Sequence, residues 1–164
     1  DFECQFCRSY ARDQYHVVLK ELVDKGLADY AFRHFPLDLI HPRAFSASVA
    51  AECAGEQGRF WEMHDALFSQ TLSDAQIRAH ATNLGLDADA FETCLGRDSG
   101  AEVLADIEDA KRAGVAGTPT FFVGVTQTGG TMRVTTVLHG AQGLSAIRAA
   151  VEEARLRSGE RGGV

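Results

Sequence analysis

Residues 1–10, DFECQFCRSY, place Cys4 and Cys7 three positions apart in a C-x-x-C motif. Zinc sites, structural disulfides and redox-active cysteine pairs all use this spacing, so the motif alone does not choose among the three. Residues 6–25 carry apolar side chains at helical spacing and are followed by Gly26. This pattern predicts a helix that opens at or within the motif. The choice of chemistry therefore depends on what the rest of the chain places around that helix.

The composition excludes some classes of function. Of the 164 residues, 45% are hydrophobic and 24% are charged, which is typical of a globular protein with one core. The net charge of −7 argues against a nucleic-acid partner. No apolar stretch approaches the length of a membrane span. The chain begins at Asp1 rather than at Met, so the sequence does not decide whether a signal peptide or membrane anchor precedes it.

The middle of the chain changes from a strand pattern to a helical one. Residues 27–37, LADYAFRHFPL, are short and aromatic-rich and predict a buried strand. Residues 41–114 are predicted to be helical, with breaks between several helices. Ser73, Asp87 and Ser99 are the predicted N-caps of three of those helices.

The last third of the chain returns to strands. Residues 118–124, TPTFFVG, and 132–140, MRVTTVLHG, predict two strands, and Gly129 and Gly130 interrupt the connection between them. Residues 143–155, GLSAIRAAVEEAR, predict a closing helix. The order of elements is therefore helix, strand, helical block, strand, strand, helix.

This order predicts an α/β protein with the thioredoxin fold. A first strand upstream of residue 1 would complete a βαβ unit, which is followed by a β-hairpin and a helix. We predict a thioredoxin-like domain formed by 1–40 and 115–157, an inserted all-helical subdomain at 41–114, and a flexible tail at 158–164. A C-x-x-C beside a βαβ pattern is the signature of a redox motif in that fold.

Four segments, in this order, resemble the DsbA-like thiol-disulfide oxidoreductases. They are DFECQFC, FRHFPL followed by HP, AAECAGEQGRFWEMHDALF, and GVAGTPTFFVG. The similarity covers Asp1 to about Arg157 and is closest to the extracytoplasmic branch of Gram-positive and actinobacterial type. One departure is the dipeptide Gln5-Phe6 between the cysteines, which lacks the Pro-His of the strongest oxidants of the family.

The resemblance also assigns roles to residues. It implies that Cys4 is the nucleophile, that Cys7 is its buried partner, and that no organic cofactor takes part. Thr118 and Pro119 match the dipeptide whose cis peptide bond faces the cysteine pair in this family. Such a bond would expose the backbone of Thr118 to an extended substrate segment.

The position of the pair has its own physical consequences. A cysteine at a helix N-terminus faces unpaired N–H groups and the positive end of the helix dipole, and both favour its thiolate. We therefore expect Cys4 to be the more exposed and the more acidic sulfur, with Cys7 one turn deeper. The neighbouring Glu3 should act in the opposite direction, since a like charge raises the pKa of a thiol. We expect a depressed but not extreme pKa for Cys4.

The other two cysteines, Cys53 and Cys94, lie on core-facing stripes of predicted helices. A zinc site would need them to join Cys4 and Cys7, and their wide separation is not that of a second short-spaced pair. The six histidines show no zinc-binding arrangement either, so we predict no metal. Cys53 and Cys94 could be buried free thiols or a structural disulfide, and the resemblance favours the disulfide.

Together these observations predict a monomeric, extracytoplasmic dithiol-disulfide oxidoreductase that introduces disulfides into exported proteins through Cys4 and Cys7. Its expected partners are reduced exported proteins and a membrane redox protein that reoxidises the pair. Two alternatives use the same motif. The first is a disulfide reductase or isomerase, and the second is a non-enzymatic holdase or sensor domain with a passive disulfide. The reduction potential separates the oxidase from the reductase.

Overall fold

The first helical segment opens within the C-x-x-C motif, as predicted. In the computed structural model, which describes residues 1–69, 72–97 and 100–159, α1 spans Gln5–Tyr10 and α2 spans His16–Val18. Turns of π-helix, Ala11–Tyr15 and Leu19–Val23, continue the run after each of them.

The described chain forms two compact units. The first consists of Asp1–Arg8 and Phe32–Thr118, and the second of Ser9–Ala31 and Pro119–Val164. The division predicted from the order of elements, 1–40 with 115–157 against 41–114, stays a prediction about domain organisation.

The helical block belongs to the first unit, and its described residues form five helices. They are α3 (Ala44–Gly55), α4 (Phe60–Ser69), α5 (Asp74–Asn83), α6 (Ala88–Gly96) and α7 (Ala101–Arg112). Two of the predicted N-caps are confirmed, because Ser73 accepts a hydrogen bond from the N–H of Gln76 and Asp87 accepts one from Ala90. The third, Ser99, lies outside the described residues.

An aromatic cluster fills the first unit beside the cysteine motif. Phe2 is fully buried, and its ring centroid lies 4.7 Å from that of Phe68 and 5.5 Å from that of Phe32. The ring of His64 meets Phe32 edge-on at 4.9 Å. Such ring pairs add about 0.5–1.5 kcal/mol each to the free energy of burial. Phe2 thereby anchors the short segment that leads into Cys4.

The prediction of a strand at 27–37 is wrong, because these residues form no strand of the described sheet. The sheet contains two strands, and neither pairs with these residues. Instead, the backbone N–H of His34 donates to Oδ2 of Asp106 at 2.7 Å, and the Arg33 guanidinium lies 3.0 Å from Oδ1 of the same carboxylate. A side chain therefore satisfies the backbone N–H of His34, where the aromatic-rich composition predicted a strand with ladder hydrogen bonds.

Both predicted C-terminal strands are confirmed. Strands β1 (Thr120–Thr126) and β2 (Met132–His139) pair antiparallel, with a bulge between Val123 and Gly124. A side chain at Gly124 would place its Cβ 2.2 Å from the carbonyl oxygen of Arg133. The close approach of the two backbones at the bulge therefore requires glycine there.

The predicted closing helix is α8 (Leu144–Ser158), which packs against both strands. Ile147 and Val151, which share one predicted face, are both buried there with Tyr15 and Leu22. The helix ends at Gly159, whose φ of 80° is the left-handed conformation that favours glycine after a helix. Of the predicted tail, residues 160–164 lie outside the described residues.

A disulfide joins Cys53 of α3 to Cys94 of α6 in the first unit. Both residues are buried, and the loop that the bond closes spans 41 residues. In the chain-entropy description, a cross-link over a loop of this length stabilises the fold by about 4 kcal/mol, mainly by restricting the unfolded chain.

We predict that this bridge is structural and outlasts a Cys4–Cys7 disulfide under reduction. Mild reductant should open Cys4–Cys7 first, because a thiol of low pKa is the better leaving group. Peptide mapping without reduction should recover Cys53 and Cys94 as one linked fragment pair, also in a Cys4→Ser/Cys7→Ser control. Alkylation of both Cys53 and Cys94 in unreduced, denatured protein would contradict the bridge.

Candidate active site

The two cysteines of the motif are free thiols at the first turn of the first helix. Cys4 lies directly before α1, and its backbone carbonyl accepts the N–H of Arg8 at 3.0 Å. The Sγ of Cys4 lies 3.4 Å from the backbone carbonyl oxygen of Thr118, to which it donates a hydrogen bond when protonated. Residues 114 positions apart therefore meet at this sulfur.

The two thiols do not differ in burial as expected. Cys4 is 4% exposed and Cys7 is 6% exposed. The expectation that Cys4 would be the more exposed is wrong, because that argument considered only depth along the helix. Residues outside the helix, such as Thr118, also cover Cys4.

The thiols do differ strongly in acidity. A hydrogen bond from the Cys7 side chain is the largest cause that lowers the pKa of Cys4, from 9.0 to about 4. Burial opposes this change, while a hydrogen bond from the Thr118 side chain and the backbone N–H groups of Cys7 and Phe6 add to it. At neutral pH, Cys4 is therefore a thiolate.

Cys7 has the opposite property. Its hydrogen bond to Cys4 raises the pKa of Cys7 above its ordinary value, and burial raises it further. The pair consequently holds one proton between two sulfurs, and that proton resides on Cys7. An asymmetric pair of this kind carries a ready nucleophile and leaving group on one sulfur only.

Thr118 contributes through two groups. Its carbonyl oxygen accepts a hydrogen bond from Cys4 only while that thiol is protonated, and its buried hydroxyl oxygen has no hydrogen-bond partner in the geometry of the structure. This hydroxyl is therefore available to the Cys4 thiolate, in agreement with its effect on the pKa of Cys4. Pro119 belongs to the second unit, where its carbonyl accepts the N–H of Gly140 at 2.8 Å.

The family model described as thioredoxin matches residues 1–152 of this chain. The chain belongs to the thioredoxin family. Its fold is similar to the crystal structure of α-DsbA1 from Wolbachia pipientis, with a TM-score of 0.80, 22% sequence identity, and coverage of 96% of this chain and 83% of that one. The predicted DsbA-like form of the thioredoxin fold is confirmed.

Two curated relatives carry the name of a membrane transporter. The chain is 43% identical, over 127 residues, to Na(+)/H(+) antiporter NhaA 3 of Salinispora tropica, covering 75% of this chain and 19% of that protein. It is 39% identical, over 158 residues, to Na(+)/H(+) antiporter NhaA 1 of Salinispora arenicola, covering 94% of this chain and 22% of that protein. The chain thus spans about a fifth of the length of these relatives. None of the described helices combines the length and the apolar composition that a membrane span requires.

Within this thioredoxin-family site, the acidity of Cys4 is greater than the sequence suggested. The expectation of a moderate depression counted the helix terminus and an opposing effect of Glu3, but not the Cys7 thiol. The carboxylate of Glu3 accepts the backbone N–H of Arg43 at 2.6 Å, and it is not among the main causes of the pKa shift of Cys4. The dominant cause is thus a neighbouring side chain, whose geometry the spacing does not reveal.

Two residues beside the site were missed in the sequence. The buried carboxylate of Asp1 accepts the backbone N–H of Cys4 at 3.1 Å and hydrogen-bonds with Nδ1 of His41 at 2.7 Å. An Asp three residues before a helix-starting cysteine has the spacing of a side chain that caps backbone N–H groups, which was the available signal. Nothing local in the sequence indicated His41, which lies 40 residues away.

Metal binding has no support among the residues that the structure describes. No cluster of three or more His, Cys, Asp or Glu side chains there could hold a metal ion. Cys53 and Cys94, the cysteines that a zinc site would have needed, are bonded to each other.

We predict that the thiolate absorbance of reduced protein at 240 nm titrates near pH 4, because Cys4 ionises there. Replacing Cys7 by Ala should raise this midpoint by more than one pH unit, since it removes the hydrogen bond that lowers the pKa most. A Cys4→Ala control should lose the low-pH transition. An unchanged midpoint in Cys7→Ala would contradict the assigned cause.

The same shift makes the stability of the reduced protein depend on pH. A thiol with a depressed pKa in the folded state contributes stability above its unfolded pKa, about 8.5, and that contribution is lost as the pH falls toward 4. Urea unfolding of reduced wild type and Cys4→Ser between pH 8 and 4 should therefore show their difference in stability shrinking with acidity.

Proposed function

We propose that this chain is a thiol-disulfide oxidoreductase that introduces disulfide bonds into exported proteins through Cys4 and Cys7. The observation that carries the proposal is the opposed acidity of the two thiols, with the pKa of Cys4 lowered to about 4 and that of Cys7 raised. An environment that stabilises the thiolate of the reduced pair makes the corresponding disulfide an oxidant. A passive structural pair does not need this asymmetry.

The proposed reaction consists of two thiol-disulfide exchanges. A substrate thiolate attacks Sγ of Cys4 in the oxidised protein, the Cys4–Cys7 bond breaks, and its electron pair goes to the Cys7 sulfur, which takes up a proton. A second substrate thiolate attacks the substrate sulfur of the mixed disulfide, and Cys4 leaves as a thiolate. Two substrate thiols are oxidised to one disulfide while the Cys4–Cys7 disulfide is reduced to the dithiol.

Substrate contact is assigned to Thr118 and Pro119. The Thr118 carbonyl lies 3.4 Å from the Cys4 sulfur, so an extended segment that pairs with this backbone would reach the reactive atom. A cis bond between Thr118 and Pro119, as the resemblance implies, is part of this proposal. Phe6, between the two cysteines, is an exposed apolar side chain that an unfolded substrate can contact.

The proposed location is extracytoplasmic, with the chain acting as a monomer. The buried Cys53–Cys94 disulfide supports this location, because structural disulfides persist in oxidising compartments. Similarity to a segment of proteins named as membrane antiporters supports a site of action at the membrane. Reoxidation of Cys4 and Cys7 needs an electron acceptor, for which we propose a membrane redox protein.

Equilibration in glutathione buffers tests the direction of electron flow. We predict a reduction potential well above about −270 mV, the value typical of a reducing thioredoxin. The reduced protein should also melt at a higher temperature than the oxidised one, because stabilising the Cys4 thiolate stabilises the reduced fold. A potential at or below that of thioredoxin would assign the pair to the alternative, a reductase.

Two variants separate an enzyme from a passive disulfide. Cys7→Ala should accumulate mixed disulfides with an oxidised, unfolded substrate protein, because its Cys4 thiolate attacks a substrate disulfide, displaces one substrate thiolate, and leaves no internal thiol to resolve the product. Cys4→Ala should form none and lose all oxidase activity. Equal mixed-disulfide formation by both variants would mean that Cys4 is not the reactive sulfur.

A further inference from the structure

A buried carboxylate lies at the base of the cysteine motif and takes no part in the proposed exchange reaction. The side chain of Asp1 is fully buried. Burying a carboxylate is unfavourable unless hydrogen bonds compensate it, so its partners show what holds it there. Asp1 has four such partners, divided between its two oxygens.

The first oxygen binds the segment that leads into the reactive cysteine. Oδ1 of Asp1 accepts the backbone N–H of Glu3 at 2.9 Å and that of Cys4 at 3.1 Å. These bonds fix the peptide plane before Cys4, and with it the direction in which the Cys4 side chain leaves the backbone.

The second oxygen binds a turn remote in sequence. Oδ2 of Asp1 accepts the backbone N–H of Leu37 at 2.9 Å and lies 2.7 Å from Nδ1 of His41. A carboxylate oxygen is an acceptor, so His41 Nδ1 is the donor. The turn closes on itself, because the carbonyl of Leu37 accepts the N–H groups of both Ile40 and His41 at 2.9 Å. One carboxylate therefore ties the cysteine motif to the turn at 37–41.

We propose that Asp1 is a positioning residue for Cys4, and that the hydrogen bond from His41 holds Asp1 in that position. With Phe2 anchored in the aromatic cluster on one side and Asp1 tied to the turn on the other, the segment 1–4 has little freedom. This restraint keeps the Cys4 sulfur within reach of the Cys7 thiol and the Thr118 hydroxyl, whose hydrogen bonds to the thiolate depend steeply on distance. The inference rests on the proposed role of Cys4 as the reactive sulfur.

The charge of Asp1 has the opposite effect to its geometry. A negative charge beside a thiol raises its pKa, so removing that charge alone would lower the pKa of Cys4. A rise after the charge is removed can therefore come only from misplacement of the sulfur. The other charged groups nearby include the α-amino group of Asp1, which acts on Cys7, and the exposed Asp38 in the turn. They also include the Glu3 carboxylate, which accepts the N–H of Arg43 and lies 4.0 Å from its guanidinium.

Titration of the Cys4 thiolate at 240 nm in the reduced 164-residue chain tests the inference. In Asp1→Asn, which removes the charge and places an amide N–H₂ toward donors, the midpoint should rise by about one pH unit. In His41→Leu it should rise similarly. In His41→Asn, whose side-chain amide can donate in place of Nδ1, it should stay near the wild-type value. Asp38→Asn, the matched control from the same turn, should not raise it.

Circular dichroism and an intact Cys53–Cys94 linkage would verify that each variant is folded. If His41→Leu does not fold, Asp1→Asn and His41→Asn still decide the question. A midpoint that falls or stays unchanged in folded Asp1→Asn would overturn the positioning role, as would an equal rise in His41→Asn and His41→Leu. Failure of the proposed function is distinguishable, because the reduction potential of wild type tests the oxidase separately, and a reactive role for Cys4 fails only if wild type itself lacks a low-pH thiolate transition.

Discussion

The hydrogen bond between the thiols of Cys7 and Cys4 is the interaction on which the site depends. It lowers the pKa of one sulfur and raises that of the other, so a single proton is distributed unequally between two otherwise similar groups. Burial would raise the pKa of both thiols if they were isolated, and it does oppose ionisation of Cys4. The thiolate exists in this buried place because donors converge on it from Cys7, from the first turn of the helix and from Thr118.

The rest of the first unit holds these donors in place. Phe2 fixes the approach to the motif by packing among Phe32, His64 and Phe68. The chain that carries Phe32 continues into His34, which the carboxylate of Asp106 holds through its backbone N–H. Packing and polar contacts thus act together, because an apolar anchor restricts position while directed hydrogen bonds restrict orientation.

Much of the fold could be predicted because its helices and strands follow from local sequence patterns. The helical periodicity around Val18 and Leu22, the alternation in 132–139 and the caps at Ser73 and Asp87 each depend on residues within a few positions of one another. The strand predicted at 27–37 from its composition was wrong. The composition of this segment is that of a strand, but a ladder needs a partner, and the described sheet pairs only β1 with β2. The equal burial of Cys4 and Cys7 was missed for a related reason, since cover from Thr118 is invisible in the spacing of the motif.

By itself, the sequence determined that two cysteines stand at the start of a helix, that strands β1 and β2 and helix α8 follow a helical block, and that the chain resembles DsbA-like proteins. The sequence also indicated that Cys4 is the more acidic sulfur, but tertiary structure alone decided how strongly its pKa is lowered, because that depends on the distances between hydrogen-bonding atoms. Tertiary structure alone also brought Thr118 to Cys4 and His41 to Asp1, across 114 and 40 positions. Periodicity and spacing report which way a side chain faces along its own element. They do not report which distant group it meets, and the pKa of a thiol is determined by the groups it meets.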